Sequence, residues 1–542
     1  MARQLRHADQ ATQVMIKRAA EENIPTVWDR WDAQQPQCGF GTLGLCCRHC
    51  NMGPCRIDPF GNGPQAGVCG ATADTIAARH LARMIAAGAA AHSDHGRDIA
   101  HTLLLIGENP HSDYAVKSPE KLKALAAEVY GIATADKDLR QIALEVAHAA
   151  LREFGQQEGF VKFAELAPPA RVKLWKQLGI MPRAVDREIV EIMHRTHIGV
   201  DADYKNVIKQ GLRASLGDGW GGSMIGTELS DVIFGQPNPL AAQANLGVLK
   251  QDHVNVIVHG HEPTLSDIIA IVSQDPELVG KAKAAGAKGI QLGGICCTAN
   301  EIMMRHGIPI AGSYMQQELA IMTGVVEMMV VDVQCIWPGL QDTAKRYHTK
   351  LVTTSPKAKM PGFEHIEFRE DKAVQIARNI LEEAIKNFAN RNGKQSIPSV
   401  SQGMVAGFTT ESVFKFLGGT YRSTYRPLND AIIAGRIRGL AGVVGCSNPN
   451  VEFEEGHLTI VKELLANDVL VASTGCNAIT CGKHGLLTPE AAFQYAGKGL
   501  REVCEAVGLP PVLHCGSCVD TVSYTHLRAH ETPEHLVCRL LL

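Results

Sequence analysis

The sequence predicts an α/β protein in which a helical N-terminal domain precedes two Rossmann-like α/β domains. Apolar residues recur at helical spacing from about residue 71 to 235, as in ATADTIAARHLARMIAAG. After the turn-rich FGQPNPLA, short continuous apolar runs such as VNVIV and VVEMMVVDV alternate with helical stretches. Apolar strands separated by helices are typical of a parallel sheet that is covered on both faces.

The chain has 542 residues, enough for three or four domains at roughly 150 residues each. We expect the helical domain to comprise residues 1–237 and the middle Rossmann-like domain residues 238–395. The polar NGKQSIPSVSQG precedes a C-terminal Rossmann-like domain over 396–521. Residues 522–542 change sharply in composition, and the family resemblance described below implies that they are a non-native tail and that the last domain is incomplete.

Composition excludes several classes of protein. The net charge is −3 with acids and bases interspersed, so neither nucleic acid nor an anionic membrane is an expected partner. The charged N-terminus is unlike a secretory signal, and no apolar run reaches the ~18 residues of a membrane span, so we expect a cytoplasmic protein. The 16 cysteines are too few for a disulfide scaffold, and in a reducing compartment such thiols are metal ligands, redox groups or buried residues.

The downstream cysteines and histidines follow predicted strands. His259 and His261 come after VNVIV, and Cys296 and Cys297 come after KGIQL. Single cysteines follow four later strands: Cys335, Cys446, Cys476 and Cys518. Ligands of open α/β sheets bind at the carboxyl ends of the strands, so the set predicts a metal site, although any one cysteine alone would fit a buried core position.

Five thiolates and an imidazole exceed the needs of one zinc ion or one four-iron cubane. This surplus predicts a cluster that carries an additional metal. Sulfur ligands favour iron, copper(I), zinc or nickel.

A second group of thiols lies near the N-terminus. The spacing of Cys47, Cys50, Cys55 and Cys69 fits a [4Fe–4S] cluster, and its irregularity argues against the alternative, a zinc site. Cys38 and Cys46 remain, too few for a cluster in one chain. A twofold axis would bring the same pair from a second subunit, so we expect a homodimer with a shared cluster.

Seven motifs carry a family resemblance: CCRHCNMGPCR, VHGHEPTLS, GGICCTANE, VVDVQC, GVVGCSNPN, STGCNAITCGKHG and GSCVD. Together they resemble the catalytic subunit of nickel-dependent, anaerobic carbon monoxide dehydrogenase, from about Cys38 to Asp520. The resemblance implies a homodimer with the prismane/carbon monoxide dehydrogenase-like fold.

The resemblance also implies three metal centres. A D-cluster, either [4Fe–4S] or [2Fe–2S], would be shared between subunits through Cys38 and Cys46. A [4Fe–4S] B-cluster would be held by Cys47, Cys50, Cys55 and Cys69. The active C-cluster, a Ni–Fe–S centre with an extra iron, would use six residues: His261, Cys297, Cys335, Cys446, Cys476 and Cys518. His261 and Cys297 would hold the extra iron and Cys518 would reach nickel, with His259 and Cys296 left as neighbours.

The implied reaction is oxidation of carbon monoxide with water to carbon dioxide, two protons and two electrons. Electrons would leave through the B- and D-clusters to a ferredoxin-like acceptor, and the resemblance leaves open whether a hydrogenase or an acetyl-CoA synthase is a further partner. Protons would use a relay of His92, His95 and His101 on one predicted helix, where position 98 is Asp instead of histidine, and Asp218 resembles the family's acid–base carboxylate. The alternatives are solvated surface histidines and a capping or turn aspartate.

The resemblance stops after GSCVD at residues 516–520. The tail TVSYTHLRAHETPEHLVCRLLL resembles read-through of adapter or vector sequence, so we do not interpret its histidines and cysteine as a zinc site (His526, His530, His535 and Cys538). The family's catalytic lysine is absent, and we expect this chain to fold poorly or to be inactive.

Two other functions compete with this interpretation. A hybrid-cluster protein that reduces hydroxylamine or nitric oxide lacks the bridging pair, so Cys38 and Cys46 argue against it. A non-enzymatic iron–sulfur electron-transfer or metal-sensing subunit would not need the six strand-end ligands. Cys481, Cys504 and Cys515 have no assigned role and are expected to be buried apolar residues.

Overall fold

The computed structural model describes residues 8–393, 395–413 and 426–520 of the chain. These residues form two compact units, Asp32–Ile233 and a second unit that combines the described residues before 32 with those from 234 onward. Helices dominate the first unit, and sheets covered by helices form the second, which confirms the predicted α/β class. The division into three domains and a tail stays a prediction.

The first unit, Asp32–Ile233, contains one small sheet and a set of packed helices. Strands β1 (Cys46–Cys47) and β2 (Cys55–Arg56) pair antiparallel, with Cys47 opposite Cys55. The α-helices that follow these residues or lie beside them are Gly39–Thr42, Ala73–Glu108, Pro119–Ala124, Leu139–Gly155, Lys162–Glu165, Pro169–Leu178, Val185–Arg195, Tyr204–Gly217 and Ser223–Phe234. Single π-helical turns at Leu125–Val129 and Asp218–Gly222 extend two of them.

The long helix Ala73–Glu108 organises this unit. Its inner face consists mostly of small residues, so neighbouring helices approach closely. At Gly96 an added Cβ would lie 2.3 Å from the carbonyl oxygen of Gly222, and at Gly107 one would lie 2.8 Å from the Cβ of Leu144. The partner helix Leu139–Gly155 begins with a capping box between Asp138 and Gln141.

The second unit contains an eight-stranded sheet. Its strands are β3 (Leu240–Ala244), β4 (Val254–Gly260), β5 (Ile290–Ile295), β6 (Ile310–Gly312), β7 (Val326–Val331), β8 (Lys350–Thr353), β9 (Glu364–His365) and β10 (Gln402–Ala406). They lie in the order β10-β3-β6-β5-β4-β7-β8-β9, and every pair except β10–β3 is parallel. Every residue of β4 and β7 is buried, as expected of strands covered on both faces.

A second, three-stranded parallel sheet follows in the order β11 (Gly439–Val443), β12 (Val469–Ser473) and β13 (Val512–His514). The helices of the unit are Gln10–Glu21, Val27–Asp32, Pro263–Val272, Pro276–Ala284, Cys296–His306, Gln317–Met322, Leu340–Ala344, Ala373–Asn387, Arg426–Ile433, Glu455–Ala466, Gly475–Lys483, Ala491–Tyr495 and Lys498–Val507. In the described ranges, no helix combines the length and the apolar character that crossing a bilayer requires.

One strand crosses the predicted domain boundary. β10 begins within the last two residues of the polar segment at 392–403 and pairs with β3 in the sheet of the middle region. The part of the chain assigned to the C-terminal domain therefore contributes an edge strand to the neighbouring sheet.

Candidate metal centres

The six predicted strand-end ligands lie in the second unit. His261 follows β4, Cys297 follows β5 and Cys335 follows β7 in the large sheet. The other three follow the strands of the small sheet: Cys446 after β11, Cys476 after β12 and Cys518 after β13. The carboxyl ends of two parallel sheets therefore supply one common set of donors.

The donor atoms lie close enough to bind one metal cluster. One ligand atom each from His261, Cys297 and Cys518 falls within 4.8 Å of the others. His261 Nε2 lies 3.9 Å from the Cys335 sulfur, and the Cys518 amide donates to the Cys297 sulfur at 3.3 Å. Gly475 has a φ of +58°, and a Cβ there would lie 2.5 Å from the Cys518 sulfur, so glycine leaves room for this thiol.

Three thiols of this set have a pKa below the ordinary cysteine value, because a neighbouring thiol donates a hydrogen bond to each: Cys297, Cys335 and Cys446. The pKa falls to about 6 at Cys335, where Cys296 is the donor, and to about 3 at Cys446, where Cys476 is the first donor. The donor to Cys297 is Cys518, whose own pKa that bond raises.

The sulfurs are thus linked by hydrogen bonds in which Cys296, Cys476 and Cys518 donate to Cys335, Cys446 and Cys297. Metal ions displace such shared protons, since the thiolate is the metal-binding form. The imidazole of His261 is also in a suitable environment to bind a metal ion. Its ring is buried, its Nε2 faces sulfur, and its Nδ1 has no hydrogen-bond partner among the described residues. The donor set therefore fits a cluster of soft metal ions.

Cys296 is a functional candidate that the sequence interpretation left aside as a neighbour. It is fully buried, has a φ of +65°, and its thiol is a hydrogen-bond partner of the sulfurs of Cys335 and Cys476. His259, the other neighbour, donates from Nε2 to Gln317 at 3.0 Å, and burial lowers its pKa to about 4. His259 is therefore a neutral structural residue, whereas Cys296 belongs to the group of sulfurs that are linked by hydrogen bonds.

The carboxylate of Asp332 connects three ligand-bearing segments. Its Oδ1 accepts hydrogen bonds from the amides of His261, at 2.7 Å, and Val333. Its Oδ2 accepts the Thr298 hydroxyl at 2.9 Å, next to Cys297. Gly260 allows this approach, because a Cβ there would lie 1.7 Å from Asp332 Oδ1.

The loop that carries Cys446 is held by the short 3₁₀ helix Tyr314–Gln316. The Tyr314 hydroxyl donates to the carbonyl of Ser447, and its ring packs edge-on against Trp337. Gln317, the next residue, donates to the Cys335 carbonyl at 3.0 Å. One turn therefore contacts the segments of two ligands.

The N-terminal cysteines form a separate centre in the first unit. Cys47, Cys50, Cys55 and Cys69 all line one common pocket. Backbone amides at this pocket favour the thiolate form of two cysteines. The Val68 amide donates a hydrogen bond to the Cys55 sulfur at 3.4 Å, and the Ala71 amide lowers the pKa of Cys69. Four convergent cysteines around such a pocket fit an iron–sulfur cluster.

Cys38 and Cys46 lie outside that pocket. Cys38 is exposed at the N-cap position of Gly39–Thr42, and amides of Gly41 and Phe40 lower its pKa. Cys46 is half-buried, and its carbonyl accepts a hydrogen bond from His80 Nε2 at 3.0 Å. Both thiols are free of disulfides.

The predicted proton-relay histidines all lie on the helix Ala73–Glu108, but in different environments. His92 is half-buried, His95 is buried and His101 is exposed. His92 Nδ1 donates to Asp218 at 2.9 Å, and the Ser223 hydroxyl donates to the same carboxylate at 3.0 Å. Asp218 is the first residue of the π-helical turn. Its carboxylate therefore has a helical backbone position and, in addition, a histidine as hydrogen-bond partner.

The remaining cysteine predictions concern Cys481, Cys504 and Cys515, which are buried. The tail and its three histidines and one cysteine fall outside the described residues.

An α/β fold that gathers histidine and cysteine side chains at its strand ends, with a second group of cysteines in a helical unit, fits the class of metal-cluster proteins. Comparison with known proteins narrows this class. Residues 45–532 match the family model "Prismane/CO dehydrogenase family". The chain belongs to this family.

Individual relatives agree. The chain is 56% identical over 513 residues to carbon monoxide dehydrogenase 1 of Methanosarcina acetivorans, covering 94% of this chain and 81% of the relative. A Ni-free crystal structure of carbon monoxide dehydrogenase from Thermococcus sp. AM4 superposes with a TM-score of 0.93 at 49% identity, covering 98% and 84% of the two chains. A structure of acetyl-CoA synthase/carbon monoxide dehydrogenase with NiZn[Fe4S4] and NiNi[Fe4S4] clusters gives 0.92 at 41% identity, covering 96% and 79%.

Proposed function

We propose that the chain is the catalytic subunit of a nickel-dependent carbon monoxide dehydrogenase, which oxidises carbon monoxide with water to carbon dioxide, two protons and two electrons. The convergence of His261 with sulfurs from both sheets is the observation that carries this proposal. The names of the relatives support it, since they are carbon monoxide dehydrogenases.

The six strand-end residues would hold the C-cluster, with His261 and Cys297 on an extra iron and Cys518 at nickel. Such a cluster supplies Lewis-acid activation of water and a reservoir for two electrons. The residues around it orient these ligands: Asp332 holds the backbone of His261, and Tyr314 holds the loop of Cys446. Three of the donors, His261, Cys297 and Cys476, are buried and so shielded from bulk water, whereas Cys446 is exposed.

Proton transfer would use His92, His95, His101 and Asp218. The hydrogen bond between His92 and Asp218 supports this part, because it joins an imidazole that can carry a proton to a carboxylate that can accept one. The exposure of His101 would let protons reach solvent.

Electrons would leave through a [4Fe–4S] B-cluster at Cys47, Cys50, Cys55 and Cys69 and a D-cluster shared by Cys38 and Cys46 of two subunits. Large apolar side chains stay exposed around these cysteines, at Leu43 and Phe60, and Met84 is exposed one turn beyond His80, which bonds to Cys46. A homodimer interface would cover them. A ferredoxin-like protein is the proposed acceptor, the cytoplasm the proposed location, and a hydrogenase or acetyl-CoA synthase a further candidate partner.

Metal analysis together with activity tests this function. Protein prepared without oxygen and supplied with nickel and iron should bind both metals, and the same chain extended with the family's lysine-bearing segment should reduce a viologen dye with carbon monoxide. In the extended protein, Cys446→Ser should lose the nickel and this activity while keeping the iron of the N-terminal cysteines. A full iron complement without nickel, or a fully nickel-loaded extended protein without carbon monoxide oxidation, would contradict the proposal.

A further inference from the structure

Arg79 is a buried cation beside the N-terminal cysteines. It lies on the helix Ala73–Glu108 and is only 3% exposed. One guanidinium nitrogen, Nη1, lies 4.0 Å from the Cys69 sulfur, and Arg79 also lines the pocket formed with Cys47, Cys50 and Cys55.

The guanidinium lacks an anionic partner in the part of the chain that the structure describes. Nη2 donates to a neutral acceptor, the carbonyl of Asp201, at 2.8 Å, and Nε makes no hydrogen bond. No carboxylate pairs with Arg79 there, in contrast to Arg183 and Arg195 of the same unit, which pair with Glu191. A buried charge without a counter-ion costs several kcal/mol, so this arrangement indicates an anion that the protein residues themselves do not supply.

The four cysteines would supply that anion. A [4Fe–4S] core with four thiolates carries net negative charge, and this charge increases by one when the cluster accepts an electron. A positive charge at short range stabilises the more negative, reduced state, particularly where little water screens it.

We propose that Arg79 is the counter-ion of the cluster at Cys47, Cys50, Cys55 and Cys69 and that it raises the reduction potential of this cluster. This inference rests on the proposed function only for the presence of that cluster. Arg79 would act as a tuning residue, since it contacts a ligand sulfur and no substrate. Its effect would make this cluster a better electron acceptor inside the protein.

A matched set of variants separates charge from shape. Arg79→Gln removes the charge and keeps a polar side chain for the Asp201 carbonyl, whereas Arg79→Lys keeps the charge. Arg83→Gln is the control, because Arg83 lies one turn further along the helix and bonds to the Thr196 hydroxyl rather than to a cysteine.

Potentiometric titration followed by electron paramagnetic resonance is the measurement, made on nickel-free protein so that carbon monoxide chemistry is not needed. Cys69→Ser identifies the signal that belongs to this cluster. We expect Arg79→Gln to lower the potential clearly, Arg79→Lys to stay close to wild type, and Arg83→Gln to shift it less than Arg79→Gln does.

Loss of the cluster in Arg79→Gln with retention in Arg79→Lys would also support the inference, since it shows that the charge is required. An unchanged potential in Arg79→Gln, or equal changes or equal cluster loss in both Arg79 variants, would overturn it in favour of a purely structural role. Wild-type protein without iron at these cysteines would overturn the cluster assignment itself. If a nickel-free, inactive protein shows the expected shifts in reduction potential, the role of Arg79 as counter-ion is supported even if carbon monoxide oxidation fails.

Discussion

At the residue scale, the carboxylate of Asp332 holds neighbouring ligand-bearing segments together by hydrogen bonds. It accepts the amide of His261 and the hydroxyl of Thr298, and so connects the segments that follow β4 and β5. Partners that orient ligands typically change metal affinity or activity by about 10- to 100-fold when they are removed.

We therefore expect Asp332→Ala to lower metal retention at the strand-end site by at least about tenfold, because two ligand segments lose a shared acceptor. Asp332→Asn should lose much less, since its Oδ1 can still accept both amides. Metal content after dialysis, measured beside thermal unfolding, checks this. Equal metal loss in the two variants would show that charge, rather than hydrogen bonding, is what the site requires.

Glu153 gives a prediction about pH. Burial raises the pKa of this carboxyl to about 7, against 4.5 in an exposed glutamate, and its Oε2 accepts the amide of Lys162. The folded state therefore keeps a proton that the unfolded chain releases, so the contribution to stability is present below about pH 4.5 and is lost as pH rises to about 7.

The free energy of unfolding of Glu153→Gln should match that of wild type near pH 4.5 and exceed it by about 3 kcal/mol above pH 7. The reason is that the glutamine amide stays uncharged at every pH, whereas the buried carboxyl must lose its proton. The free energy of unfolding in urea, measured across this range, is the test. Glu120→Gln changes an exposed glutamate and serves as control. A constant difference between Glu153→Gln and wild type at all pH values would rule out the burial of a protonated carboxyl.

At the element scale, the helix Ala73–Glu108 tolerates a methyl group at one glycine and excludes it at another. An added Cβ at Gly88 has open space, whereas at Gly96 it would meet the carbonyl of Gly222 at 2.3 Å. Both glycines are helical, so backbone entropy favours alanine equally at the two positions.

Gly88→Ala should therefore stabilise the protein by about 0.5–1 kcal/mol. Gly96→Ala should destabilise it by at least about 1–3 kcal/mol, because the two helices must separate. Chemical denaturation of both variants measures the contrast. A stabilising Gly96→Ala would mean that the helix packing relaxes far more easily than the short contact implies.

The sequence predicted these elements unequally. The grouping of the six strand-end side chains was predictable because the strands are short apolar runs and a histidine or cysteine follows within a few residues, as in VNVIV before His261. The sequence placed Cys296 at the same strand end but left it as a neighbour, because its contact with Cys335 and Cys476 depends on a left-handed φ of +65° that the sequence pattern does not indicate. β10 was hidden because its pairing partner, β3, lies far away in the chain and a polar segment precedes it.

At the scale of the whole molecule, long-range charge pairing joins the ends of the second unit. Lys483 is fully buried and binds Asp9 at 3.0 Å, although 474 residues separate them, and Glu454 at 2.5 Å. Such a pairing has no signature in local sequence. Burial alone would raise the pKa of Asp9, but Lys483 and hydrogen bonds from Asn245 and Thr12 hold it well below its ordinary value.

Removing this cation should affect the stability of the whole protein. We expect Lys483→Met to destabilise it by about 3–5 kcal/mol at neutral pH, because two buried carboxylates lose their partner. In wild type the contribution of Asp9 is present above about pH 4 and is lost as pH falls below that value, so the variant should also show a weaker dependence on acid. Unfolding free energies at pH 7 and pH 3 test both points, and an unchanged acid dependence would contradict the coupling.

The pairing of β1 with β2 has a consequence for how this chain can vary. Consecutive residues of a strand point to opposite sides, and Cys46 and Cys47 accordingly differ in burial. Inserting one residue between them would turn both thiols toward the same side. In this segment, the number of residues is therefore constrained as tightly as their identity, and insertions or deletions should be tolerated far less than substitutions at neighbouring positions.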